Sequence, residues 1–314
     1  MTTLGIECTA HTFGIGIIKD NKIIANEFDM YKPEKGGIVP ADAAQHHRSV
    51  AQQVLENALQ KANISIKDID QIALSTGPGL PPCLVAGMEF AKSLSKPIIP
   101  VNHCIAHIEI GKQTLKFKDP LIVYSSGANT QIIAQQGNRY AIFGECIDIG
   151  IGNAIDKFAR SIGLPMPGGP KIEQLALLGK KYIDLPYTVK GMDLVFSGLV
   201  TAASKKAKTE KLEDMAYSFQ ETIFAMLTEV TERALAHTKK TEVLLTGGVA
   251  KNRRLQTMLS EMAKLHNAQF GVPQDEYLGD NGAMISLVGS LSKNPQKDID
   301  INPNWRTDQV ELTW

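Results

Sequence analysis

Residues 121–146 read LIVYSSGANTQIIAQQGNRYAIFGEC. The opening of the chain, residues 4–28, reads LGIECTAHTFGIGIIKDNKIIANEF. Sliding the opening forward by 117 positions lays Leu4 on Leu121, Asn21 on Asn138 and Lys22 on Arg139. Each segment reads as strand, polar loop, strand, tight turn, strand. Chance likeness of two hairpins is the competing explanation. A true internal repeat at this distance predicts two lobes of like topology, each a sheet with helices.

The rest of the chain fits that frame. Its 314 residues are long for one core and suit two lobes of about 150 residues each. Apolar residues make up 43% and charged residues 21%, an ordinary globular balance. Thirty-three basic and thirty-three acidic residues cancel, so no global field advertises nucleic-acid binding. Cys8, Cys83, Cys104 and Cys146 are spaced neither as a metal knuckle nor as a redox pair, which points to a reduced, intracellular chain. There is no signal pattern and no apolar run near the ~20 residues of a membrane span. The expectation is a cytoplasmic protein with no membrane partner. Expected boundaries are 1–118 for the first lobe and 119–314 for the second, with a closing helix near 280–293 packing back on the first.

Between the repeats, ADAAQHHRSVAQQVLENALQKA shows helical spacing at Val50, Val54, Leu55 and Leu59. IDQIALSTG is a strand ending in the turn GPGLPP. CLVAGMEFAKSLS is a helix, and PIIPV a short buried strand. Beyond the second repeat, helices are expected near 152–163, 170–179 and 212–238. TEVLLTGGVAKNRRLQTMLSEMA then reads as strand, glycine turn and helix, and YLGDNGAMISLVGSL as a loop feeding the closing helix.

Several motifs carry chemistry. In VNHCIAHIEIG, His103 and His107 stand at i and i+4, on one face of a helix, which suits a shared metal ion. A zinc peptidase would read H-E-x-x-H, and here Cys104 stands where its glutamate base would be. A third ligand must come from elsewhere, and Asp280 in GDNGA is a candidate; a helix N-cap is the plainer role for that segment. Three small-residue turns follow strands: ECTAHTFG, YSSGANTQ and TGGVAKN. Such turns cradle phosphate, and three of them suggest a nucleotide held between lobes. No P-loop or Rossmann fingerprint is present. Asp156, and Glu173 beside Gly169, have the look of ribose-binding acids, although a surface acid or an acid complementing a helix dipole looks the same. His46 and His47 read as structural, and SKKAKTEK and KNRR as solvated basic clusters.

Taken in order, GIECTAHTFGIGI, VNHCIAHIEIG, YSSGANTQ, IDIGIGNAIDKFAR, PGGPKIE, GMDLVFSGL, LLTGGVAKNRRL and GDNGAMI resemble the tRNA N6-adenosine threonylcarbamoyltransferases. More narrowly they resemble the archaeal and eukaryotic catalytic subunit of the KEOPS complex, down to the closing WRTDQVEL. Members once carried the name O-sialoglycoprotein endopeptidase, from the paired histidines. The resemblance implies an α/β, two-lobed fold shared with actin, sugar kinases and heat-shock chaperone ATPases. It implies transfer of a threonylcarbamoyl group from threonylcarbamoyl-adenylate to the N6 amine of the tRNA adenosine 3′ of the anticodon.

By motif position, the resemblance assigns one divalent metal ion, iron or else zinc, to His103, His107, Tyr124 and Asp280. It assigns a bound nucleotide, threonylcarbamoyl-adenylate or ATP/ADP, to Tyr124, Ser125, Ser126, Gly127, Ala128, Asp156, Gly169, Glu173 and Asn252. It implies tRNA, a small KEOPS dimerisation subunit and a KEOPS protein kinase subunit, separate or fused, as partners. Glu7 and His11 flank the first turn; they are candidates to activate the amine or close the site, or simply to hydrogen-bond the turn. Relatives commonly read S-G-G where this chain has Ser126-Gly127-Ala128. A metallopeptidase and a nucleotide-binding regulatory ATPase of the same fold are the alternatives.

Overall fold

Alternation of apolar and small residues makes the first three strands, and turns at Asp20 and Asn21, both in the left-handed region, join the second to the third. A computed structural model describes residues 1–33, 37–292 and 299–314. The described residues fall into two compact units. One holds Met1–Gln113, Gly137–Tyr140 and Gly279–Trp314; the other holds Thr114–Gln136 and Ala141–Leu278.

The first unit begins with β1 (Thr2–Glu7), β2 (Thr12–Lys19), β3 (Lys22–Met30), α1 (Pro40–Ala62), β4 (Gln71–Gly77), α2 (Pro81–Ser93), β5 (Ile98–Asn102) and α3 (His103–Leu115). Its sheet runs β3-β2-β1-β4-β5. β1 pairs antiparallel with β2 and parallel with β4. Leu4, Ile6, Phe13, Ile15, Ile17 and Leu74 form its core, with Val54 and Leu55 of α1 packed in. Prolines at the first turns of α1 and α2 suit helix starts, where an N–H is not needed.

The second unit repeats the plan. Its elements are β6 (Leu121–Ser125), β7 (Thr130–Gln136), β8 (Arg139–Glu145), α4 (Ile151–Ser161), α5 (Gly169–Ala176), β9 (Val189–Lys190), β10 (Asp193–Leu194), α6 (Ser197–Lys206), α7 (Leu212–Thr238), β11 (Glu242–Thr246), α8 (Arg253–Leu265), β12 (Gln269–Gly271) and α9 (Asp275–Leu278). The sheet order is β12-β11-β6-β7-β8. Read from its other edge, this is the order of the first sheet. β6 pairs antiparallel with β7 and parallel with β11, as β1 does with β2 and β4. The duplication expected from the 117-residue shift is therefore present in strand order and direction. Phe158 stacks on Phe219 at 4.3 Å between ring centres, inside a core that includes Leu199, Phe224 and Leu245.

The expected helices near 152–163, 170–179 and 212–238 are α4, α5 and α7, with ends moved by a few residues or none. The short β9–β10 hairpin, α6, α9 and β12 had no counterpart in the sequence reading. Strands of two or three residues are too short to show a period.

The last helix, α10 (Gly282–Leu291), belongs to the first unit and packs on β1, β2 and β4. The closing helix was expected near 280–293; residue 293 lies outside the described residues. Contact with the sheet is backbone against backbone. A Cβ on Gly5 would lie 2.2 Å from the Ser286 nitrogen, and one on Gly16 2.1 Å from the Ala283 nitrogen. Among the described residues no helix is long and apolar enough to cross a membrane.

Because backbone cannot swing aside as a side chain does, Gly16→Ala should cost at least the top of the usual overpacking range of about 1–3 kcal/mol. Urea unfolding of the variant beside the parent measures this, and an unchanged midpoint would show that α10 can lift without penalty.

Candidate functional site

α3 starts directly at the end of β5, so its first turn stands at the sheet's C-terminal edge. Asn102 caps it: its Oδ1 accepts hydrogen bonds from the Cys104 and Ile105 amides at 2.9 and 3.2 Å. His103 and His107 follow one turn apart, with ring centres 4.7 Å apart and planes at 81°. Asp280 lies just before α10. The cap of that helix falls to Asn281, whose Oδ1 accepts from the Met284 amide at 3.0 Å, and this leaves the Asp280 carboxylate for other partners.

Those partners are the two histidines. Nε2 of His103 and Nε2 of His107 lie 3.5 and 3.4 Å from the same oxygen, Oδ1 of Asp280. These distances are long for hydrogen bonds. They suit ligands around an ion: a tetrahedral centre with bonds of about 2.1 Å separates its ligand atoms by about 3.4 Å. The three residues present ligand atoms all within 4.8 Å of one another, and the histidines are buried. The residue set and spacing fit a divalent transition metal ion.

Behind His103 stands Glu7, fully buried. One carboxylate oxygen accepts from the Thr9 amide at 2.7 Å and the Thr9 hydroxyl at 2.5 Å. The other lies 2.9 Å from Nδ1 of His103, which donates to it. A carboxylate on the far nitrogen of a ligating histidine fixes its tautomer and aims Nε2. The two rings differ electrostatically. Burial pulls against protonation of His103, but the Glu7 and Asp280 charges outweigh it and hold its pKa up at about 9. Burial keeps the pKa of His107 below its usual value. The Asp280 pKa is held well down: burial alone would raise it, and the His103 charge with the His107 hydrogen bond overrides that. His11 also acts on Asp280 through its charge, and its buried Nδ1 has no hydrogen-bond partner among the described residues. His103, His107, Asp280, Glu7 and His11 are thus all gathered in the first unit.

The remaining candidates belong to the second unit. Tyr124 and Ser125 end β6, both fully buried. The loop that follows is docked on the start of α4: the Gly152 and Asn153 amides donate to the Ser126 and Gly127 carbonyls at 3.1 and 2.9 Å. Asp156 on α4 accepts from the Gly168 amide at 2.7 Å, just before Gly169 opens α5. Glu173 on α5 accepts from the Arg253 amide at 2.7 Å, at the start of α8. Asn252 caps α8 and donates to Gln220 at 2.9 Å. Gly169 and Asn252 line a cavity of about 10 Å³ with Ile155 and Phe219, room for about one water. Asp156, Glu173 and Asn252 therefore hold helix starts together.

Sequence reasoning overlooked Thr9 and Asn102. An Asn immediately before a helix is a readable cap signal; nothing in the sequence marks Thr9 as a partner of Glu7.

Residues 22–287 match the family model described as TsaD, tRNA N6-adenosine threonylcarbamoyltransferase. A protein of that name from Thermococcus sibiricus is 54% identical over 326 aligned positions, covering 100% of both chains. The chain belongs to this family. A probable bifunctional tRNA threonylcarbamoyladenosine biosynthesis protein from Methanosarcina mazei is 52% identical, over 99% of this chain and 59% of that protein. Among solved structures, HypF of T. kodakarensis aligns with a TM-score of 0.66 at 15% identity, over 92% of this chain and 47% of that one. ROK hexokinase of Thermus thermophilus aligns with a TM-score of 0.53 at 12% identity, over 91% of this chain and 97% of that one. These likenesses establish the actin-like, sugar-kinase fold, in two sheet-plus-helix lobes.

If Glu7 aims His103, Glu7→Gln should weaken divalent-metal binding about tenfold while every ligand stays in place. Competition between the protein and a chelating dye reads this directly, and an unchanged constant would leave Glu7 with the turn alone.

Proposed function

We propose that the chain transfers a threonylcarbamoyl group from threonylcarbamoyl-adenylate to the N6 amine of the tRNA adenosine 3′ of the anticodon. The observation that carries this is full-length identity above 50% to threonylcarbamoyltransferases. The convergence of His103, His107 and Asp280 supports metal dependence. Two imidazoles and a carboxylate suit iron, with zinc as the alternative. Tyr124 is the fourth ligand that the family pattern assigns.

When bound, the ion supplies Lewis acidity that offsets negative charge as AMP departs. The chain's own residues do the rest. Glu7, clamped by Thr9, keeps a proton on His103 Nδ1 so that Nε2 faces Asp280. His11 offers a ring nitrogen without a partner among the described residues, a group able to take the proton leaving the attacking amine. The Ser125–Ala128 loop and the start of α5 at Gly169 offer backbone amides to the adenylate, whereas the first amides of α8 are already taken by Glu173 and Asn252.

A peptidase reading finds no support on α3. Cys104 is buried, and Glu109, the carboxylate of that helix, is engaged by the Tyr140 hydroxyl at 2.5 Å and by Lys112 at 3.4 Å. As partners we propose tRNA, a small dimerisation subunit and a protein kinase subunit of the KEOPS type. The M. mazei relative, in which the matched part fills 59% of the length, favours a second function working alongside this one.

The test is nucleoside mass spectrometry. The protein, a threonylcarbamoyl-adenylate source, substrate tRNA and the partner subunits should yield modified adenosine, and His107→Ala should lower the yield at least 100-fold, as loss of a metal ligand does. Absence of product from the parent with metal and partners present would overturn the proposal. Equal product from the variant would remove the metal site from it.

A further inference from the structure

We infer that the C-terminal segment holds α3 at the alignment its two histidines need, through one amide: the side chain of Asn102 clasping the backbone of Trp305. The inference rests on the metal reading above.

Asn102 is buried and uses both ends of its amide. Its oxygen caps α3. Its nitrogen donates to the Trp305 carbonyl at 3.1 Å, across 203 positions of sequence. A serine cap would satisfy the helix equally well but could not make the second bond, which gives a physical reason for asparagine here. His103 is the first residue of the helix so capped and His107 lies one turn on, so a change in the pitch of that turn moves both Nε2 atoms relative to Asp280.

The tail is itself fastened. The Trp305 amide donates to the Asn302 carbonyl at 3.1 Å, the Asn302 amide to Thr76 at the end of β4 at 2.8 Å, and the Gly79 amide to Pro303 at 3.1 Å. Next to Gly79, the Leu80 amide donates to the Thr9 carbonyl at 2.8 Å. Thr9 is the residue that clamps Glu7. The tail thus reaches His103 by two routes, through the cap of its helix and through the turn behind its carboxylate. Gly77 makes the room: a Cβ there would lie 1.8 Å from the Asn302 oxygen. Beyond Trp305 the tail stays anchored, with Thr307 and Leu312 buried and the Leu312 amide donating to Asn138 at 2.7 Å. Asp280 and the tail lie at the two ends of Gly279–Trp314, so one stretch of chain supplies the third ligand and also steadies the other two.

The experiment titrates Zn(II), against a competing chelator, into full-length metal-free protein. It compares the parent with Asn102→Ser, Asn102→Ala, Gly77→Ala and His107→Ala, and takes a thermal unfolding curve of each metal-free protein. Asn102→Ser keeps the cap and loses the bond to Trp305; it should fold, unfold at a somewhat lower temperature than the parent, and bind Zn(II) about three- to tenfold more weakly. Asn102→Ala loses both bonds and should bind more weakly still. Gly77→Ala should also weaken binding, because it displaces Asn302; Gly77 pairs with Asn102 across β4 and β5, so Asn102→Ser decides between tail and cap. Parent-like affinity in Asn102→Ser, with affinity lost in His107→Ala, would overturn the tail's role and leave the metal reading standing. Parent-like affinity in His107→Ala would remove the metal reading, and this inference with it.

Discussion

The constraint on which the candidate site depends is the close contact of α10 with β1 and β2. Glycines at 5, 16 and 282 bring helix backbone to within van der Waals reach of strand backbone, with no side chain between. Such a contact cannot slide, because the next residue along either element carries a Cβ that would collide. The start of α10 is therefore fixed against the edge of the sheet, and Asp280 stands immediately before that start. On the same edge β5 delivers α3 and its histidines. The candidate metal site is the meeting of two helix starts whose positions are set by the sheet they share.

Electrostatics completes what packing begins. Two buried histidines beside one carboxylate would ordinarily titrate alike. Here Glu7 lies against one ring only: its charge and that of Asp280 raise the pKa of His103, while burial lowers that of His107. The two rings of the pair are thereby made electrostatically distinct.

Much of this was legible in the sequence for reasons that can be named. Strand alternation and the turn at Asp20–Asn21 recur at Gly137–Asn138, and the repeated pattern carries the sheet topology with it. The i, i+4 spacing of His103 and His107 needs only the helix period. Asp280 was harder: residue type and a small-residue loop leave metal ligand and helix cap equally open, and the structure gives the cap to its neighbour Asn281. Thr9 and the Asn102–Trp305 bond were out of reach, since a pairing across 203 positions leaves no local periodicity. Asp156 and Glu173 show the limit most plainly. Sequence supplies the carboxylates, whereas backbone amides at Gly168 and Arg253 decide where they point.

The interleaving of the two units has a consequence for biosynthesis. A chain emerging from the ribosome presents β1 to β5 and α1 to α3 before nearly all of the second unit, and α10 and the residues up to Trp314 after it. The second unit is close to contiguous and can close as soon as Leu278 has emerged. The first sheet must wait with its glycine-lined face uncovered until α10 arrives. Nascent protein therefore passes through a stage in which one half is finished and the other is an open half-sandwich with two histidines and no aspartate. The set His103, His107 and Asp280 is complete only once Gly279–Trp314 is in place.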